Sequence, residues 1–200
     1  MRVDDNIQFR KHYEIITRNA HYKCKQFRRT FSCHDIDFLV SLYKIYILPG
    51  LEYGSSVWNP YYIRDVDLIE NVQRKFTKFI PGMFHKSYQE RLIHANLITL
   101  EERRIYLDLI LLFKIIHRHV ELDTAKYFTF SSANTRGHNF KLVVNHSQIN
   151  CHKYHFFNRV VKIWNDLPRD IVNIENVNNF KLSIFTVDVK RHCIGRANTA

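Results

Sequence analysis

The chain has 200 residues, with 30 Lys and Arg against 19 Asp and Glu, a net charge of +11, 46% hydrophobic residues, 5 Gly and 4 Pro. That length suits one domain, or one and a small appendage; the apolar content permits a core, and the scarcity of Gly and Pro argues against disorder and against a turn-rich all-β fold. A charge this positive belongs to a chain that meets polyanions, and it says nothing about fold.

Residues 2–9 (RVDDNIQF) read as a strand end, a turn and a helix start. A first helix is predicted over 7–27, with Phe9, Tyr13, Ile16 and Ala20 as its buried stripe. Ser32 and Asp35 form an Asp-for-Glu version of a capping box before a second helix. Leu39, Leu42, Tyr43, Tyr46 and Ile47 give that helix one apolar face, and Pro49–Gly50 should end it. A third helix over 65–79 carries Val66, Ile69, Val72, Phe76 and Phe79 as its stripe, with Glu70 and Arg74 spaced as a surface pair. Pro81–Gly82 ends it. Ser87 with Glu90 caps a short helix to His94, and Thr99 with Glu102 caps the longest one, reaching about His119. That helix is apolar on most sides, so it should be central and buried.

After Glu121 the texture turns polar, and a hairpin or irregular arm is expected over 128–150. Helix periodicity returns over 156–164 and again over 177–187. The fold class is therefore mainly α, an irregular multi-helix domain with a small β-hairpin arm near 128–150. The expected division is a helical domain over 1–122, an appendage over 123–190 and a disordered tail over 191–200.

The charge is unevenly spaced. Between Glu14 and Asp35 there is no acid, but there are Arg18, Lys23, Lys25, Arg28 and Arg29. Residues 71–89 hold Arg74, Lys75, Lys78 and Lys86 without an acid, and 124–165 hold Lys126, Arg136, Lys141, Lys153, Arg159 and Lys162 without one. Such stretches predict basic patches that face nucleic acid. Cys24, Cys33, Cys151 and Cys193 form no disulfide framework and no secretory signal precedes them, so a reduced, intracellular setting is the default. The longest apolar run, 105–116, is interrupted by Asp108 and Lys114 and is too short to span a bilayer, so no membrane partner is expected.

Six blocks carry a resemblance. They are residues 42–60 (LYKIYILPGLEYGSSVWNP), 64–81 (RDVDLIENVQRKFTKFIP), 87–92 (SYQERL), 97–104 (LITLEERR), 135–138 (TRGH) and 156–168 (FFNRVVKIWNDLP). In this order they resemble the segment after the palm in reverse transcriptases of jockey-like non-LTR retrotransposons, RNA-directed DNA polymerases of mobile elements. The resemblance covers nearly the whole chain. It implies a thumb and downstream region, with fingers and palm missing, that grips a template–primer duplex or RNA–DNA hybrid behind the active site. It also implies nuclear action.

A polymerase holds two Mg²⁺ ions on palm carboxylates. The family's Asp-Asp hairpin is absent here, so the chain should not polymerise by itself, and Mg²⁺ is expected only for the intact enzyme. Asp4–Asp5 matches the block after the palm and reads as a turn or helix cap. No catalytic or metal residue is assigned. Cys151, His152 and His155, with Cys33–His34 and His192–Cys193, lack the paired spacing of a zinc site. The nucleic-acid contacts are assigned first to Arg74, Lys75 and Lys78, then to Arg28 and Arg29. Tyr61, Tyr62 and Tyr88 are candidates for stacking, and Trp58 and Trp164 read as core anchors. Two other readings stay open at this point: a truncated, non-functional relic of an element with only a structural role, and a small zinc-dependent binding protein.

Overall fold

A computed structural model describes residues 9–32, 35–131 and 138–195. Asp4–Asp5, Cys33–His34 and residues 135–137 of the TRGH block therefore lie outside the described residues. What is described is mainly α-helical, as the periodicities predict. It divides into two compact units: the described residues up to Arg103 with Cys193–Gly195, and Arg104–His192. The sequence puts a boundary near 122, where polar texture begins. Packing puts it earlier, because from Arg104 onward the long helix finds its partners in later elements.

In the first unit, α1 (Arg10–Thr30) lies later than the expected 7–27. Its buried positions are Tyr13, Thr17 and Ala20, and Ile16 is only half-buried. Thr17 can face the core because its Oγ1 donates to the Tyr13 carbonyl at 2.7 Å, which satisfies the hydroxyl within the helix. α2 (Ile36–Leu42) is capped by Asp35 itself, whose carboxylate accepts the Asp37 N–H at 2.9 Å, rather than by Ser32.

Pro49–Gly50 does not end this helix. A π-helical turn over Tyr43–Ile47 widens the ladder, with the Leu48 N–H donating to the Tyr43 carbonyl five residues back. The chain then continues as α3 (Leu48–Glu52) with Pro49 in its first turn, where a missing N–H costs little. The real stop comes at Gly54, whose φ of +69° suits glycine. α4 (Ser55–Trp58) follows.

α5 (Ile63–Phe79) packs against α1 in parallel. Arg10 pairs with Asp65 at 3.2 Å near both helix starts, and Arg28 lies 5.6 Å from the Phe79 ring centre near both ends. α6 (Tyr88–His94) has the predicted capping box: the Ser87 N–H donates to Glu90 at 2.7 Å and the Glu90 N–H to Ser87 Oγ at 3.3 Å. α7 (Leu100–Ile116) starts with the other, the Thr99 N–H donating to Glu102 at 2.9 Å.

Leu39, Ile47, Leu51, Ile69, Val72 and Phe76 form the centre of this unit, each contributing about 1.5–3 kcal/mol by burial. Trp58 anchors it, donating from Nε1 to the Tyr53 carbonyl at 2.8 Å while its own carbonyl accepts the Tyr13 hydroxyl at 2.7 Å. Arg103 forms a two-point ion pair with Glu52.

In the second unit the rest of α7 is buried along Leu109, Leu112, Phe113 and Ile115, as its apolar surround predicts. After it come α8 (Thr124–Tyr127), α9 (Asn150–Lys153), α10 (Phe156–Asn165), α11 (Arg169–Val172), α12 (Val177–Ile184) and a 3₁₀ turn over Lys190–His192. Phe113 stacks on Phe180 at 4.0 Å, and Asp108 holds Arg159 at 2.9 and 3.1 Å. Among the described residues of the arm, Phe130 pairs antiparallel with Leu142, and the Ser131 N–H donates to the Lys141 carbonyl at 2.8 Å. Asn165 clamps it through both backbone groups of Leu142. Trp164 is fully buried, its Nε1 donating to the Phe140 carbonyl at 2.9 Å.

Of the tail expected over 191–200, residues 191–195 are described. Arg191 and His192 finish the 3₁₀ turn, and the Ile194 and Gly195 N–H groups donate to the Glu101 carboxylate at 2.6 and 2.9 Å.

Candidate nucleic-acid interface

The parallel contact of α1 and α5 brings their C-terminal ends to one side of the first unit. Arg28 and Arg29 close α1, and Lys75 and Lys78 occupy the last turns of α5. All four are exposed, and among the described residues none is in an ion pair. Arg28 rests on Phe79, and Lys78 lies 4.7 Å from the Phe84 ring centre. In both contacts the charged head itself faces the ring, a cation–π arrangement that holds each side chain at the exposed end of its helix. Both helices also point the negative ends of their dipoles this way, so cations are favoured here even before a ligand arrives. His21 belongs to the same side. Its pKa falls below the ordinary histidine value, first through burial and then through the Lys75 charge, so it adds a neutral ring rather than a fifth cation.

Arg74 departs from expectation. It is half-buried, pairs with Asp67 at 3.8 Å and lies 5.2 Å from the Tyr88 ring centre. The expected surface pair with Glu70 does not form, because Glu70 has no exposed surface. Its carboxylate accepts the Tyr88 hydroxyl and, at 3.0 Å, the Leu100 N–H. Gln73 completes this buried network: its amide donates to the Tyr88 oxygen at 3.0 Å and the Ile98 carbonyl at 2.9 Å, and accepts from Tyr43 at 3.0 Å.

Tyr88 is thus a core hydroxyl rather than a stacking platform. Its pKa is pushed well above the phenol range, first by burial and then by the Glu70 charge. Arg91, 5.5 Å from the same ring centre, is also buried, donating to Thr77 Oγ1 at 3.1 Å and the Lys86 carbonyl at 2.8 Å.

Tyr61 and Tyr62 lie before α5, with ring centres 4.4 Å apart and Arg64 beside Tyr62 at 5.1 Å. They sit at the opposite end of that helix from Lys78, about 25 Å away along its axis. The structure therefore unites Arg28, Arg29, Lys75 and Lys78, turns Arg74 and Tyr88 inward, and separates Tyr61 and Tyr62 from the cluster.

The buried polar set was legible in one respect. Glu70 and Gln73 fall among Val66, Ile69, Val72 and Phe76 at core-facing helical spacings, which marks polar groups that need internal partners. Among the described residues, no group of three His, Cys, Asp or Glu side chains is close enough to hold a metal ion.

No family model matches this chain, and no solved structure matches it. An uncharacterized protein of Caenorhabditis elegans is 30% identical to it over 106 residues, 52% of this chain and 54% of that protein. The chain thus spans about half the length of the curated relative it matches.

Proposed function

We propose that the first unit grips the phosphate backbone of a nucleic-acid duplex, an RNA–DNA hybrid in the first instance, through the C-terminal ends of α1 and α5. The observation that carries this reading is the convergence of Arg28, Arg29, Lys75 and Lys78, four exposed cations from two helices, with no acid pairing any of them among the described residues. Such a surface neutralises phosphates and releases their counterions, giving affinity without choice of sequence. The resemblance of the sequence blocks to jockey-like reverse transcriptases supplies the context: a thumb-like grip within a polymerase of a mobile element. On this reading the chain contributes binding and no polymerase chemistry, and the two Mg²⁺ ions belong to palm carboxylates of the intact enzyme.

Anisotropy of a labelled RNA–DNA hybrid, titrated with the protein at several salt concentrations, tests the grip. Saturable binding that weakens log-linearly with salt supports it. A folded protein that leaves the hybrid unbound at low salt removes it.

A further inference from the structure

A second feature of α1 lies on a different face from the α5 contact. A groove of about 340 Å³ runs beside the helix, with Ile16, Ala20 and Ile47 as its apolar lining. Asn19 and Gln26, two exposed amide residues, also line it, and so does Tyr22, with 63% of its surface exposed. Gly50 closes the far wall, and a Cβ there would meet nothing within 4 Å, so the space beside it is open. Lys23 is fixed at the rim by donating to the Tyr46 carbonyl at 2.9 Å, on the π-helical turn that forms part of the opposite wall.

Next to the groove, Arg18, Tyr22, Lys25 and Arg29 fall on one face of α1 at helical spacing, and all are exposed. They extend over about 16 Å of helix. There is no acid between Glu14 and Asp35 to oppose them.

We propose that this groove takes an unpaired base of a single-stranded polynucleotide, with Tyr22 stacking on the base, Asn19 and Gln26 reading its edge, and Arg18, Lys25 and Arg29 holding the flanking phosphates. The inference rests on the nucleic-acid reading above and shares Arg29 with the duplex grip, but it concerns a different groove, lined by Tyr22 and Gly50, and a different substrate form. Three properties favour a base over a peptide. The volume is at the small end of ligand sites and suits one ring system. Side-chain amides match the paired donor and acceptor groups of a base edge. An exposed aromatic ring between cations is the usual platform for single strands.

The test uses a labelled single-stranded oligoadenylate and, in parallel, the RNA–DNA hybrid, with wild type, Tyr22→Ala and Gly50→Leu. Gly50→Leu fills the groove, and within α3 a leucine is a better helix former than glycine, so folding is retained. Each variant is expected to bind the single strand about 5-fold to about 150-fold more weakly while binding the hybrid as wild type does. Unchanged single-strand affinity in Gly50→Leu overturns the proposal. So does equal competition by an oligoglutamate peptide, which would make the face a general polyanion surface. Hybrid binding without single-strand binding also overturns it and leaves the duplex grip intact, whereas binding of neither defeats both.

Discussion

Arg74 and Lys75 are neighbours in the chain, and their side chains have opposite surroundings. Lys75 and Lys78 are exposed near the end of α5, while Arg74 is half-buried against Tyr88 and pairs with Asp67. Replacing Lys75 and Lys78 together by Ala should remove two phosphate contacts. The slope of log affinity against log salt would then fall in magnitude by about 2, at ~0.9 per phosphate neutralised on a duplex. Arg74→Ala should leave that slope unchanged. Its cost is to the fold: about 0.5–1 kcal/mol for a partly exposed guanidinium–ring contact and up to about 1 kcal/mol for a partly solvated ion pair. Hybrid anisotropy across a salt series gives the slopes, and urea denaturation of the same proteins gives the stabilities. The reasoning fails if Arg74→Ala reduces the slope as much as the double variant does, or if the double variant leaves it intact.

Other consequences concern the cores. Asp108→Ala removes the carboxylate paired with the Arg159 guanidinium, which is only 12% exposed and keeps its bond to the Tyr154 carbonyl, and should cost about 3–5 kcal/mol in chemical denaturation; a loss below ~1 kcal/mol would mean that water or the remaining groups solvate it. Tyr88→Phe removes the hydroxyl that links Glu70 to Gln73 and should cost about 1–3 kcal/mol, read as a lower denaturation midpoint. On the alkaline side, burial pushes Cys24 up to about 12 and raises Tyr43 and Tyr88 as well. The unfolded chain therefore loses these protons at lower pH than the folded one, and stability should decline as pH rises above about 9; a flat profile to pH ~11 would contradict this. On the acid side, the pKa of His138 is lowered chiefly by burial, and its Nε2–H already donates to the Trp164 carbonyl. Its contribution is present above about pH 6.5 and lost below, and a His138→Asn variant should flatten that acid limb.

Much of the local structure could be read from the sequence because its causes are local. The capping boxes at Ser87 and Thr99 need only residues three apart, and both form. The apolar surround of α7 predicts its burial without naming what covers it. Pro49 shows the limit of local reading. Its missing N–H is a local fact, but a π-helical turn lets the chain continue through it while Tyr43, Ile47 and Leu51 remain in the core. Glu70 and Arg74 likewise have the spacing of a surface pair, and only the position of Tyr88 and the start of α7 shows that Glu70 is needed inside.

The sequence by itself determined a mainly helical chain, its acid-free basic stretches and the residues that share each helical face, since these depend on composition and on a fixed 3.6-residue period. Tertiary structure decided which helix ends meet. The parallel contact of α1 with α5 sets Arg28 and Arg29 beside Lys75 and Lys78, residues far apart in the chain, while the packing of α6 and the start of α7 on α5 draws Arg74 and Tyr88 away from solvent. Periodicity fixes the direction of a side chain relative to its own helix axis. What lies in that direction depends on which apolar faces pack together, and hence on the whole set of helices at once.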